Sequence, residues 1–271
     1  MRHNYCNVFR IKNFMMKISV LLFLIFSATT SIAQVVTLDY FFNREFRKAK
    51  TGQAERFHYT WEDTAQTGYS IWGHIFRQLG ADTKSMDAAP TEANLKSTGI
   101  YIIVDPDTEK ETGQPNYIES KHIKALTNWV KDGGVLVLLA NDSANTELKH
   151  FNRLAKKFGI HFNNDLRNKV KGDDFDMAAL MVPEGHPIFK TAKKMYIKDI
   201  CTLKLNRKAK PAFSDKDEVI MATVKLGKGT VFAVGDPWFY NEYCNGRLTP
   251  GFDNDKAARD LAVWLLAQVP K

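Results

Sequence analysis

Five aspartates stand where this sequence could do chemistry. Each follows a short apolar run. Asp39 follows residues 35–38, Asp105 and Asp107 follow Ile100–Val104, Asp142 follows Val135–Leu139, and Asp236 follows residues 230–234. Asn141 precedes Asp142, and Trp238, Tyr240, Asn241 and Tyr243 follow Asp236. Paired carboxylates can act as acid and base on a glycosidic bond. Carboxylate oxygens of this kind could also hold Ca²⁺, although no cofactor is required by any motif. They could equally accept hydrogen bonds from sugar hydroxyls, with Trp238, Tyr240 and Tyr243 offering apolar faces. Asp105, Asp142 and Asp236 are the catalytic candidates, with His58 as a further acid or base. The ligand-binding candidates are Asp39, Asn43, Arg44, Trp61, Glu62, Asp107, Asn141, Trp238, Tyr240, Asn241 and Tyr243. His58, Trp61 and Glu62 belong to the segment 56–63, which reads RFHYTWED and packs aromatics and acids around one histidine. Asp and Asn are also favoured at turns and helix N-caps, so each of them has a purely structural reading as well.

The elements that must position these residues are legible from periodicity. Tyr69, Trp72, Ile75, Phe76 and Leu79 fall at helical spacing over 69–79, and Gly80 supplies a stop. Helices are likewise expected over 119–131, 147–158 and 255–267, the first two closed by Gly133 and Gly159. The apolar runs between them are near-continuous, the mark of strands covered on both faces. This β-α-β-α order predicts an α/β fold: a mostly parallel, doubly wound sheet of flavodoxin-like or amidotransferase-like type, with helices on both faces and a more strand-rich region over 160–225. Ligands of open parallel sheets bind beyond the carboxyl ends of the strands, which would bring all five aspartates onto one rim.

The N-terminal segment reads as an export signal. Residues 18–26 are an apolar run preceded by Lys17, and Ser31-Ile32-Ala33 resembles a cleavage site. Residues 1–33 are therefore expected to be a signal peptide, with 1–14 an upstream mis-start, leaving one domain over 34–271 in the periplasm or outside the cell. Removing the four bases of 1–33 from the 38 in the chain leaves 34 against 30 acids, so the formal charge of +8 shrinks by half. The lysines cluster without aromatic interleaving, which argues against nucleic-acid binding. No stable membrane span is expected after cleavage. Cys201 and Cys244 could pair in an oxidising compartment. No dinucleotide or Walker-type glycine pattern follows a strand, and no nucleophile elbow surrounds Ser143. His74 is expected to be a satisfied histidine beside a core face.

The run Val135–Leu139 with Ala140-Asn141-Asp142, and the stretch 226–238 (LGKGTVFAVGDPW), resemble the class I glutamine-amidotransferase-like fold and its non-catalytic relatives, among them a domain family of unknown function. Residues 42–46, 56–63, 101–108 and 235–243 are similar to a module of Bacteroidetes proteins associated with unsaturated rhamnogalacturonyl hydrolases. The resemblance covers nearly all of 35–267. It implies a place in pectin breakdown, with a pectic oligosaccharide as ligand and a glycoside hydrolase as partner. It also implies no glutaminase activity. Asn141 and Asp142 stand where the nucleophilic cysteine would be, and Asp236-Pro237-Trp238 stands where the family's His-Pro-Glu would be. The residues leave three readings open: a carbohydrate-binding domain, a hydrolase working through strand-end carboxylates, and a structural or partner-binding module.

Overall fold

Continuous apolar runs bounded by glycine and aspartate become the central strands of this computed structural model, which describes residues 1, 34–206, 208–237 and 241–270. The expected signal peptide and the candidates Trp238 and Tyr240 lie outside the described residues. The strands are β1 (Val35–Asp39), β2 (Phe46–Lys48), β3 (Ala54–Arg56), β4 (Asp82–Met86), β5 (Ile100–Val104), β6 (Val135–Leu139), β7 (Ile160–Phe162), β8 (Ala179–Met181), β9 (Lys194–Tyr196), β10 (Leu203–Leu205), β11 (Lys210–Asp215), β12 (Glu218–Leu226) and β13 (Gly229–Val234). The α-helices are α1 (Ser70–Gln78), α2 (Glu92–Leu95), α3 (Glu109–Thr112), α4 (Ser120–Asp132), α5 (Leu148–Ala155) and α6 (Asn254–Gln268).

The fold is mixed α/β around a nine-stranded sheet in the order β4-β1-β5-β6-β13-β12-β10-β7, with β11 paired to β12. The first five strands of this order are mutually parallel. Beyond β13 the joins are antiparallel, which is the strand-rich character of 160–225. Alternate residues of each central strand feed two cores. Ile100, Ile102 and Val104 pack with Trp72 and Phe76 of α1 and Leu261 and Leu265 of α6. Tyr101 and Ile103 pack with Leu126 and Val130 of α4 and Phe151 and Leu154 of α5. Burial on both faces explains why β5 and β6 carry no polar alternation.

Two features escape the periodicity. Strand β4 reads DTKSM and is an edge, so half of its residues need no apolar partner. The β2–β3 hairpin is exposed and lies in what reads as a plain connection. His74 is exposed on α1 and meets Gln78 at 2.9 Å, so it is not a histidine held by the core. Cys201 and Cys244 are thiols and form no disulfide. Among the described residues no helix is long and apolar enough to cross a membrane.

Candidate functional site

Register fixes the rim. Val104 pairs with Leu139, and Leu139 with Val234, so β5, β6 and β13 end at one level. Their next residues are Asp105, Ala140 and Gly235. Asp39 ends β1 beside Met86 of β4. The central strands therefore end at one level, but of the five aspartates only Asp105 and Asp142 line a common cleft, and the individual aspartates do different things.

Three of them serve the backbone. Asp39 accepts from the amides of Phe41 (3.2 Å) and Phe42 (2.8 Å) and from the Tyr101 hydroxyl. Asp107 accepts from the Arg44 amide at 2.8 Å. Asp142 accepts from the Ala144 amide at 2.8 Å and from the Asn145 side chain at 2.7 Å. Burial pushes Asp39 up to about 7, against hydrogen bonds that favour the anion. Burial likewise pushes Asp107 up to about 8. Asp236 is fully buried and engaged, and lies close enough to Tyr59 to act on its hydroxyl.

Asp105 is different, because only side chains satisfy its carboxylate. Thr146 donates its hydroxyl to one oxygen, and Asn141 donates its amide to the other at 3.2 Å. Asn43 latches the Asp105 carbonyl at 3.2 Å, and the Asp105 amide donates to the Leu139 carbonyl at 2.8 Å. Burial raises the carboxyl to about 7, opposed by Thr146, the His58 charge and Asn141. The residue sits at φ 42°, in the left-handed region that asparagine and aspartate tolerate best among side-chain-bearing residues.

Around Asp105 opens a cleft of about 130 Å³, lined by His58, Tyr59, Asp105, Glu111, Asn141, Asp142, Asn145 and Asp199. Among the described residues, seven non-glycine residues adopt positive φ, and His58 (66°), Tyr59 (51°), Asp105 and Asp199 (49°) all line this cleft. Each such position costs on the order of 1–3 kcal/mol, and strain of this kind concentrates at functional sites. The strained pair is held from outside. The Tyr59 amide donates to the Thr67 carbonyl at 2.8 Å, and the Tyr69 amide donates to Thr60 at 2.9 Å. The rings of Phe57, His58 and Tyr59 stack in sequence, with centroids 5.3 Å and 4.5 Å apart.

His58 Nδ1 bonds Glu45, a short contact between the loop and the start of the β2 hairpin. Burial works against a charge on His58, but the hydrogen bond and charge of Glu45, then Asp105 and Glu111, outweigh it and raise the imidazole above its ordinary value. Glu45 therefore favours the imidazolium more than water would for a free histidine. Glu45→Gln is expected to lower the His58 pKa, because it removes the charge that favours the imidazolium, read from its ring protons in an NMR titration. An unmoved titration would show that Glu45 does not set the charge of this ring. The buried Tyr59 hydroxyl faces Asp105 without a direct hydrogen bond of normal geometry. Burial also raises Glu111, which caps α3 through the Thr108 amide and hydroxyl.

Several candidates read from the sequence stand elsewhere. Trp61 is in the core, its indole donating to the Lys84 carbonyl at 3.0 Å, because an indole ring between α1 and β4 is worth more as packing than at a wet rim. Glu62 is exposed and paired with Arg56. Asn241 caps the Tyr243 amide at 3.1 Å, and Tyr243 packs in a satellite cluster with Tyr196 and Phe175. The Arg44 side chain is exposed, and only its backbone reaches Asp107. Glu111, Asn145 and Asp199 were not singled out from the sequence. Each lies in a loop or short helix whose position depends on packing. Among the described residues no group of three or more His, Cys, Asp or Glu is arranged to hold a metal.

Known proteins inform the fold more than the chemistry. The N-terminal domain of mmIFT52 superposes with a TM-score of 0.61 at 14% identity, covering 85% of this chain and 96% of that one. The cytoplasmic proteins STM3548 and STM1381 of Salmonella typhimurium superpose with TM-scores of 0.55 and 0.54 at 14% and 12% identity. Each alignment covers 88% of this chain and all of the Salmonella protein. At such identities the likeness is one of fold alone. No curated protein matches the sequence. A family model does match over residues 62–243, a span that contains Asp105, Glu111, Asn141, Asp142, Asn145 and Asp199 but begins after Glu45, His58 and Tyr59. With more than half of its length in that match, the chain belongs to the family described as "Domain of unknown function (DUF4350)".

Proposed function

We propose that this chain is an exported carbohydrate-associated domain of the flavodoxin-like or amidotransferase-like type. Its cleft takes a single ring, or the end of a chain, from an oligosaccharide of the pectic, rhamnogalacturonan type. It works alone or beside a glycoside hydrolase. One observation carries the reading: the strained, half-enclosed cleft gathers imidazole, phenol, amide and carboxylate groups around about 130 Å³. That is well below the roughly 300–1,000 Å³ of drug-sized sites, and suits one small, hydroxyl-rich group that both donates and accepts. The sequence resemblance to the pectin-associated module supplies the substrate class.

A second reading is favoured by Asp105. A carboxyl raised to about 7, with the charge of His58 acting on it, makes a general acid or base poised near neutrality, as hydrolysis of a glycosidic bond would use.

Both readings predict that rhamnogalacturonan fragments raise the melting temperature of the purified chain. A ligand at a hundred times its dissociation constant adds about 2.7 kcal/mol. Release of shorter products would favour the hydrolase, and a shift without products the binding domain. A panel of neutral and acidic glycans that leaves the melting curve unmoved would remove the carbohydrate reading.

A further inference from the structure

A second surface uses none of the residues of the cleft. On α4, Ser120, Ile123, Lys124, Thr127, Asn128 and Lys131 recur at intervals of three and one, which places them on one stripe of the helix. Arg153, Lys156 and Lys157 repeat that spacing at the end of α5 and in the turn that follows it. The two stripes border one groove of about 660 Å³. Lys124, Lys131, Arg153, Lys156 and Lys157 are all exposed, and no carboxylate lines the groove. Among the described residues none of the five enters an ion pair. The nearby Glu119 is taken by Lys121 at 2.9 Å, and Arg153 donates to the neutral Ser120 hydroxyl at 3.1 Å. Like charges gathered without counter-charges repel one another, and together they focus a positive potential along the groove.

We infer that this groove binds a linear acidic polysaccharide. The α4 stripe runs for roughly 16 Å at the helical rise, so successive charges of an extended chain can meet successive lysines. Ser120, Thr127 and Asn128 lie between the cations: Ser120 accepts from Arg153, Thr127 donates to the Ile123 carbonyl at 2.6 Å, and Asn128 donates to Glu92, outside the groove lining, at 3.3 Å. No aromatic side chain lines the groove, so bases of a nucleic acid would find no stacking platform. Its one large apolar residue, Ile123, is 5% exposed, so nothing projects to enter a bilayer. Four of the five cations are lysines, compact point charges rather than the planar forks of arginine that favour bidentate phosphate contacts. The inference goes beyond the reading of the cleft and does not depend on it.

The test uses the full chain and a fluorescent galacturonate oligomer, followed by anisotropy at low and high salt. The oligomer is expected to bind while a neutral galactan oligomer of the same length does not. The exposed triple variant Lys124→Gln/Lys156→Gln/Lys157→Gln is expected to lose at least about tenfold in affinity, with a weaker salt dependence and an unchanged melting curve. A control variant of exposed lysines outside the groove and the cleft, Lys48→Gln/Lys190→Gln/Lys204→Gln, is expected to leave this binding intact, which separates the groove from surface charge in general. The inference is overturned by absent binding, by an unaffected triple variant, or by tighter binding of a single-stranded oligonucleotide or of phosphatidylserine vesicles.

Discussion

Replacing Asp105 with asparagine is expected to stabilise the protein above neutral pH while removing ligand binding at the cleft. The side chain is buried with its carboxyl raised to about 7, against an unfolded value near 3.8. The folded state therefore holds a proton that the unfolded chain has already released. The stability conferred by that protonated form is fully present below about pH 4 and is lost as pH rises through 7. Asparagine cannot ionise, so its advantage over aspartate grows across that window and reaches a few kcal/mol at most. Asparagine also suits the left-handed backbone at φ 42° and can keep the bond from Thr146 through its one side-chain oxygen, although its amide nitrogen cannot accept from Asn141. Urea unfolding at pH 5 and pH 8.5 would show the difference between the two proteins widening with pH; a constant difference would mean that burial of a charge is not what Asp105 costs. Ligand affinity is expected to fall at least about tenfold, as for loss of a charged hydrogen bond. Asp39 and Asp107 act with the same sign, so the parent protein should itself weaken between about pH 4 and pH 8.

Trp72→Ala is expected to cost about 3–5 kcal/mol of stability, the range for truncating a buried tryptophan. Trp72 is fully buried on α1, with its ring 5.5 Å from Tyr69, 6.2 Å from Trp61 and 5.1 Å from Phe76. Tyr69 in turn packs 5.3 Å from Tyr59. The cluster joins α1 to the loop that holds His58 and Tyr59 at positive φ. Removing its centre should lower the melting temperature by roughly ten degrees for a chain of this size. It should also let the strained loop relax, so that His58 titrates closer to its ordinary value. A variant that keeps the parent stability would show that the cavity collapses without loss. A destabilised variant with an unmoved His58 titration would show that the loop is held by its own hydrogen bonds to Thr60 and Thr67.

The helix at 119–131 was readable because an amphipathic helix repeats its burial every three or four residues. The same holds for β5 and β6, whose unbroken apolar runs permit only strands covered on both sides. Asp105 and Asp142 could be placed at one rim from the ends of those runs. His58 was visible as the one histidine among aromatics and acids in 56–63, but its partner Glu45 was only another member of the same long connection. Edge strand β4 was not readable, because DTKSM buries too little for its pattern to show. Trp61 misled for a related reason: an aromatic in a connecting segment can fold inward, and its composition does not say which way.

The sequence by itself determined the alternating helices and strands, the level at which the central strands end, and the supply of carboxylates at that level. Those properties follow from local periodicity and from the chemistry of turns, which neighbouring residues decide among themselves. Only the tertiary structure decided which carboxylates cap backbone amides and which face a shared space. It brought Glu45, His58, Glu111 and Asp199 to Asp105 from four separate segments. It also held His58, Tyr59, Asp105 and Asp199 in conformations that no local preference would choose. Such positions persist only where packing around them outweighs their strain, and packing between segments far apart in the chain leaves no periodic mark on any one of them.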